Sequence, residues 1–493
     1  MPNMTTNQTS EAMKPENKIG LIDIGSSSIR LVIYRAGGRL PHPQFNERDV
    51  CRLGEGLAET GLLDQDRMDQ ALTTLQRFAK IIEASGLDEI KAFATEAVRK
   101  AKNSAQFIDA AEAIINTPIN ILSGAEEAQF AGKGVLSGFV DVDGVVGDLG
   151  GGSLELIHVK NMVSVKKQPQ ASLPCGHLVP LDPQEVDDMI SGIDWAAETK
   201  GKVFYAVGGT WRAIATAYTA ASKKRIDVVH GLTLTRKDLM EMIEKIEDAD
   251  GQIKGIPPAR RSSMKQASIV MRAILSVFDP IEVVFSSYGA REGLLYDELS
   301  NDIRRIDPLM AGVDEFAVMT ERHQGLGPAL AAKTLPFLET YKIKDHRLTE
   351  AVCYLADLSW LDHPDYRASL AIEKMLGLSV VGINHKERAW MAAVLSVRYS
   401  GTFPSRSLFR GMLKRKERET ARFVGLVMRM LMTATGGIPQ LLEQVTVTPE
   451  KKSLTIAFPK DLFGTDEGLI KRRVKAIASA GKSSKSIAVE FQE

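Results

Sequence analysis

Asp23-Ile24-Gly25-Ser26-Ser27-Ser28 and Asp148-Leu149-Gly150-Gly151-Gly152-Ser153 are the two stretches on which the fold turns. The first lies between the apolar runs Ile19-Gly20-Leu21-Ile22 and Ile29-Arg30-Leu31-Val32-Ile33-Tyr34. The second lies between Val142-Asp143-Gly144-Val145-Val146 and Leu154-Glu155-Leu156-Ile157-His158-Val159. Both read as turns of β-hairpins. Glycines let backbone approach a ligand closely, successive N–H groups in a tight turn form an anion-binding concavity, and the serine hydroxyls add donors. An oxygen-rich anion, best a phosphate, fits between two such turns. An aspartate ending an apolar strand, then glycine and serine, occurs twice, which implies two related half-domains facing one cleft.

The context excludes two commoner phosphate motifs. A dinucleotide fingerprint opens a helix, and a P-loop ends in Gly-Lys-Ser/Thr, whereas Gly150 to Ser153 lead into a strand and carry no lysine. The alternative is a pair of ordinary hairpins with glycine at a left-handed turn position.

Working outward, Met68, Ala71, Leu72, Leu75, Phe78, Ala79 and Ile82 recur at helical spacing and predict an amphipathic helix over 68–82. A strand over 90–95, a helix over 107–115 and a short strand over 119–122 follow, the alternation of an α/β domain. Ser123 and Glu126 have the S-x-x-E spacing of a capping box at the start of a helix running to about Leu136. That occupies Glu126 structurally and leaves Glu127 to point elsewhere. In the second α/β unit Val203-Phe204-Tyr205-Ala206-Val207 feeds Gly208-Gly209-Thr210, which opens a helix. Gly209 is either an anion contact at a helix N-terminus or a device for close helix–strand packing. Arg291, near the start of a helix after Ser286-Ser287-Tyr288-Gly289, is a further phosphate candidate.

From about Ile306 long helical patterns take over (348–361, 368–378, 387–397, 420–432), and the last fifty residues read strand, helix, strand. The domain expectation is therefore a disordered tail over 1–17, α/β domains over 18–138 and 139–305, a helical domain over 306–440 and a small α+β domain over 441–493. The basic runs Lys414-Arg415-Lys416 and Lys471-Arg472-Arg473 read first as solvated helix faces.

Composition bounds the partners. The chain has 493 residues, 44% hydrophobic and 25% charged, with Lys+Arg and Asp+Glu both at 62, so any anion site is local rather than a field of the whole protein. No nucleic acid and no membrane are expected as partners. Met1 to Lys18 lacks the apolar core of a signal peptide, and a cytoplasmic location is the expectation. Cys51, Cys175 and Cys353 form no CxxC pair and read as reduced structural residues, with Cys175 beside His177 a remote nucleophile candidate.

The two loops, together with Ala94-Thr95-Glu96-Ala97-Val98-Arg99, Ile121-Leu122-Ser123-Gly124-Ala125-Glu126-Glu127-Ala128 and Gly289-Ala290-Arg291-Glu292-Gly293, resemble the exopolyphosphatase/guanosine pentaphosphate phosphatase family, over about residues 18–300. The resemblance implies an α/β fold of two actin-like, ribonuclease H-like domains with the active site between them, followed by an all-helical HD-like domain, a small α+β tail, and a homodimer. It carries the catalytic base to Glu127, in agreement with the capping argument. As a carboxylate near a helix N-terminus, Glu127 is expected to stay ionised. Asp148 is the expected Mg²⁺ ligand, with Asp23 and Glu155 as further candidates. Gly25, Ser26, Ser27, Ser28, Gly150, Gly151, Gly152 and Ser153 would hold the terminal phosphoryl group, Gly209 and Arg291 would add contacts, and Arg99 would screen charge.

Two departures stand out. Ser27 replaces the asparagine usual in the first loop, and Tyr354-Leu355-Ala356-Asp357 stands where the family can carry a histidine–acid pair, so a metal site in the helical domain is not expected despite His363 and His385. The helical domain is then a substrate-binding and dimerising element. The expected reaction is stepwise removal of terminal phosphate from inorganic polyphosphate. The rivals are hydrolysis of guanosine pentaphosphate to the tetraphosphate, an actin-like kinase, and a non-catalytic polyphosphate or alarmone sensor. Against the kinase, Thr210-Trp211-Arg212 places bulk where adenosine would pack.

Overall fold

The computed structural model describes residues 17–160, 168–222, 226–405, 409–450, 453–462, 467–481 and 486–492, so the expected tail over 1–17 falls, but for its last residue, outside the described residues. The chain forms two compact units, Met1–Ala217 with Leu234–Arg305, and Tyr218–Thr233 with Ile306–Glu493.

The first unit contains two sheets. One comprises β1 (Asn17–Ile24), β2 (Ile29–Ala36), β3 (His42–Asp49), β4 (Glu89–Ala94) and β5 (Ile119–Ile121), in the order β3-β2-β1-β4-β5. Its first three strands are antiparallel and the last two parallel. The other comprises β6 (Asp143–Leu149), β7 (Leu154–Lys160), β8 (Gln170–Leu173), β9 (Val203–Val207), β10 (Thr233–Leu234) and β11 (Glu282–Phe285), in the order β10-β11-β9-β6-β7-β8. Leaving out β10, the second sheet repeats the order and strand directions of the first. The same topology built twice is the architecture expected from the paired loops.

Strand β1 is apolar nearly throughout because both its faces are covered. Ile22 and Ile24 pack with Phe78 of the helix α2, described below, while Ile19 and Leu21 enter a separate cluster on the other face. The helices of the first half are α1 (Leu57–Thr60), α2 (Gln65–Ser85), α3 (Glu96–Lys100), α4 (Ser104–Ile115) and α5 (Gly124–Gly138); those of the second are α6 (Pro183–Ser191), α7 (Gly209–Ala221), α8 (Arg236–Asp248), α9 (Met264–Val277), α10 (Ala290–Glu298) and α11 (Asn301–Arg304). The apolar spacing read over 68–82 is the buried stripe of α2, which Asp64 caps.

The expected boundary between residues 138 and 139 separates the sheets but not the helices. Ala128, Ala131 and Val135 of α5 pack on Val146 and Ile157 of the second sheet, while Leu295 of α10 packs on Leu21 and Val32 of the first. The two helices cross where glycines remove side chains: a Cβ on Gly134 would fall on the Gly289 carbonyl, and one on Gly293 on that of Phe130. Each half thus lends a helix to the other.

The second unit holds α12 (Pro308–Thr320), α13 (Leu326–Tyr341), α14 (His346–Tyr354), α15 (Arg367–Gly377), α16 (His385–Ser400), α17 (Arg415–Thr435) and α18 (Pro439–Gln444), then β12 (Thr446–Pro449), β13 (Ser453–Pro459), α19 (Glu467–Gly481) and β14 (Ser486–Gln492). Leu454, Ile456, Phe458, Ile470 and Ile477 share one core with Phe337, Trp390, Phe423 and Leu431, so the C-terminal α+β segment has no separate core of its own. The helix expected over 348–361 ends at Tyr354, and residues 355–362 turn tightly through i to i+3 backbone bonds. Among the described residues no helix is long and apolar enough to cross a membrane.

Candidate active site

The two loops are built alike. Gly25 N donates to Ser28 O (3.0 Å), and Gly150 N to Ser153 O (2.9 Å). The carbonyls in each bend are taken by a brace from the segment after the third strand: Arg52 N and Gly54 N donate to Ser27 O and Ser26 O, and Gly176 N and Leu178 N donate to Gly152 O and Gly151 O. His177 N adds a bond to Gly150 O (3.1 Å). With these carbonyls held from behind, the opposite side of each bend is open to a ligand. The bends meet: a Cβ on Gly151 would lie 2.9 Å from Ser26 Cβ. Gly25, Ser26, Ser27, Ser28, Gly150 and Gly151 line one cleft of about 190 Å³, as do Asp23, Asp148, Glu127 and Glu155.

Strand register gives the two walls opposite chemistry. In the first sheet Asp23 pairs with Arg30, and Arg30 with Arg48. In the second, Asp148 pairs with Glu155, and Glu155 with Ser172. Directly paired residues share a face, and like charges there repel. One wall therefore brings two guanidinium groups together and the other two carboxylates. The first arrangement attracts an anion and the second a proton or a cation.

Glu127 reaches the cleft because its neighbour is engaged. Ser123 Oγ accepts from Glu126 N (3.2 Å) while Glu126 Oε2 accepts from Ser123 N (2.8 Å), so the capping box forms. The Ser123 amide holds the Glu126 carboxyl below the usual range. Glu127 is not simply ionised, in contrast to the expectation. Burial, with Asp148 and Glu96 nearby, outweighs Arg99 and pushes its carboxyl up to about 7. Burial likewise raises Asp148 to about 6 and, with Glu127 beside it, lifts Glu155 well above the carboxylate range. A carboxylate poised near neutrality suits a general base.

Several expected residues are placed differently. Arg99 does not line the cleft; its Nη1 is 2.5 Å from Glu127 Oε1 and also bonds Leu122 O, so it orients the Glu127 carboxylate. Asp23 lines the cleft and is ion-paired with Arg291 through its Oδ2 (2.6 Å). Gly152 and Ser153 lie behind the bend: Glu96 sits against the Gly152 Cα, and the Ser153 hydroxyl bonds Glu155. Gly209 lines the cleft, but the Arg260 guanidinium covers it so closely that a Cβ would overlap. Trp211 is fully buried against Phe204 and bonds Ala267 O, so its bulk lies in the core and is no argument about adenosine. Burial pushes the Cys175 thiol up to about 12, which makes it a poor nucleophile.

The cleft also holds residues the sequence reading passed over: Arg30, Arg48, Arg212, Arg260 and His177. Arg30 was legible, two residues beyond Ser28 and so on the same face of its strand. Burial, with Arg291 close by, lowers Arg30 to about 10, and burial with Arg48 does the same to Arg260. The other four come from distant segments that only folding assembles.

For Mg²⁺ the donor set is partial. Among the described residues no three acidic, histidine or cysteine side chains converge as a cage. Mg²⁺ usually takes one or two carboxylates and keeps waters and phosphate oxygens, and the paired Asp148 and Glu155 fit that need. In the second unit Asp357 is buried and accepts from Arg322 (3.0 Å) and Arg398 (3.2 Å). His385 Nε2 bonds Val228 O, and His363 is exposed beside Asp365, so these groups form no joint site.

Comparison with known proteins agrees with this geometry. Residues 32–302 match the model of the Ppx/GppA phosphatase family, and residues 309–486 that described as exopolyphosphatase, C-terminal. The chain is 24% identical to retrograde regulation protein 2 of Saccharomyces cerevisiae over 82% of this chain and 76% of that one. It is 27% identical to exopolyphosphatase 1 of Mycobacterium leprae over 58% and 90%. With the guanosine-5'-triphosphate,3'-diphosphate pyrophosphatase of Pseudoalteromonas atlantica it shares 24% identity over 62% and 64%. A crystal structure of an exopolyphosphatase from Cytophaga hutchinsonii superposes with TM-score 0.51 at 22% identity, covering 57% of this chain and 96% of that one, a likeness of fold.

Proposed function

Given that the chain belongs to the Ppx/GppA phosphatase family and is therefore a phosphoanhydride hydrolase, we propose that it releases orthophosphate stepwise from the ends of inorganic polyphosphate. The observation that carries this reading is the Glu127 carboxylate in a cleft that both bends line. In the reaction, Glu127 orients a water and takes its proton as the oxygen attacks the terminal phosphorus, and the bond to the next phosphate's oxygen breaks. Gly151, Ser26 and their neighbours hold the terminal group, and Arg30 and Arg212, which line the cleft alone, balance the charge that builds on its oxygens. Mg²⁺, held by Asp148 and Glu155, would supply further neutralisation of phosphate charge. Arg99 keeps the Glu127 carboxylate aimed.

Guanosine pentaphosphate is the second reading. It is favoured by the cavity of about 750 Å³ that adjoins the cleft, with apolar walls at Val50, Leu57 and Leu178 large enough for a nucleoside. The second unit is proposed to bind substrate and to form a homodimer, which sedimentation would check. The deciding experiment compares orthophosphate release from long-chain polyphosphate and from guanosine pentaphosphate, by the native chain and by Glu127→Gln. Release from polyphosphate that is fast in the native chain and lost in the variant supports the proposal; equal release by both proteins overturns it.

A further inference from the structure

Among the described residues His177 is the one histidine at the cleft, and it stands where the cleft opens into the adjoining cavity, lining both. The two braces correspond residue by residue, Arg52 to Gly176 and Gly54 to Leu178, through their bonds to Ser27 and Gly152 and to Ser26 and Gly151. His177 therefore occupies the place of Leu53, which is fully buried in the core of the first half. The matching position carries an imidazole instead, half-buried, with Nδ1 enclosed and unpartnered. A polar ring at a position whose counterpart is pure core points to a use other than packing.

The surroundings say which use. The His177 amide is tied to Gly150 O, so the backbone that carries the ring is fixed to the second bend. Arg48 and Arg260 line the same two cavities, and with burial they keep the imidazole neutral, pushed down to about 4. Ser26, Ser27 and Gly151 complete the passage. The cleft is small, about 190 Å³, and the adjoining cavity is about 750 Å³, so a substrate with its end at Glu127 continues through this passage.

We propose that His177, with Arg48 and Arg260, binds the phosphate next to the one removed, the group that leaves, and so selects substrates with a second and third phosphate in line. The proposal rests on the hydrolase reading above, because it takes the terminal group to lie at the bends beside Glu127. The ligand chemistry is a linear phosphoanhydride, shared by polyphosphate and by a nucleoside polyphosphate.

The test uses the full chain carrying Glu127→Gln, which holds substrate without turning it over, with calorimetric titration of tripolyphosphate and of orthophosphate. Loss of a hydrogen bond to a charged group is worth about tenfold or more in affinity. His177→Ala is expected to weaken tripolyphosphate by about tenfold and orthophosphate by less than about twofold, and His177→Gln, which keeps a donor, to recover part of the loss. A melting temperature close to that of the parent shows that the fold survives. Unchanged tripolyphosphate affinity, or an equal loss for both anions, overturns the proposal, the latter because His177 would then only support the bend. Failure of the parent Glu127→Gln chain to bind tripolyphosphate at all would instead sink the hydrolase reading.

Discussion

The Nη1 of Arg291 lies 2.6 Å from the Oδ2 of Asp23, across 268 residues of chain, and joins α10 to the end of β1. Burial alone would pull Arg291 down, but Glu292 and Asp23 carry it above its ordinary range, so its guanidinium keeps its charge. Arg291→Ala leaves Asp23 and Glu292 without the cation that both approach. Discounted for partial exposure, the cost is about 1–3 kcal/mol in urea unfolding. Asp23→Asn should cost a similar amount and leave the Mg²⁺ concentration for half-maximal activity unchanged; an increase would make Asp23 a metal ligand after all.

Adjacent glutamates should respond oppositely. Glu127→Gln is expected to lower kcat by about 10²–10⁴ with the melting temperature held or raised, since a buried carboxyl is removed. Glu126→Ala loses the capping box at about 0.5–2 kcal/mol, with kcat nearly intact. Steady-state kinetics and thermal unfolding on the same two proteins check both halves of the statement.

The raised carboxyl of Glu127 has a pH signature. As a base it must be deprotonated, so kcat/KM should rise with pH through about 7. For stability the direction reverses: a carboxyl that binds its proton more tightly when folded stabilises fully below its unfolded value, near 4.5, and that contribution is lost as pH rises to about 7. Denaturation in the presence of a chelator at pH 5 and pH 8 should show a smaller difference for Glu127→Gln than for the native chain.

Gly176 allows its brace to lie directly on the second bend, and a Cβ there would overlap the Gly151 and Gly152 carbonyls. Gly176→Ala should destabilise by about 1–3 kcal/mol and raise KM, because the backbone that aims the bend is displaced. An unchanged KM would show that the bend does not hold substrate.

Asp357→Asn should cost about 3–5 kcal/mol, leaving Arg398 buried without a charged partner. Metal content, measured by atomic emission, should not change.

Much of this was readable from the chain. The continuous apolar run of β1, buried on both faces, and the helical apolar spacing of α2, buried on one, determine those elements and with them the hairpin at Gly25. Ser123 and Glu126 announce the helix start, and that local bond explains why Glu127 is free. The Asp-x-Gly-x-x-Ser repeat declares the duplicated halves before any coordinate is known.

Other properties depended on distance in space. Ionisation of Glu127 is set by burial and by Asp148 and Glu96, none of which its helix position encodes. Arg99 and Glu127, or Gly209 and Arg260, become neighbours only when separate segments pack, and the exchange of α5 and α10 between sheets runs against chain order. Local periodicity is a one-dimensional signal and fixes elements; electrostatics and close approach depend on three-dimensional separation, so the charges of the cleft, and the place of His177 beside it, were decided by the tertiary fold alone.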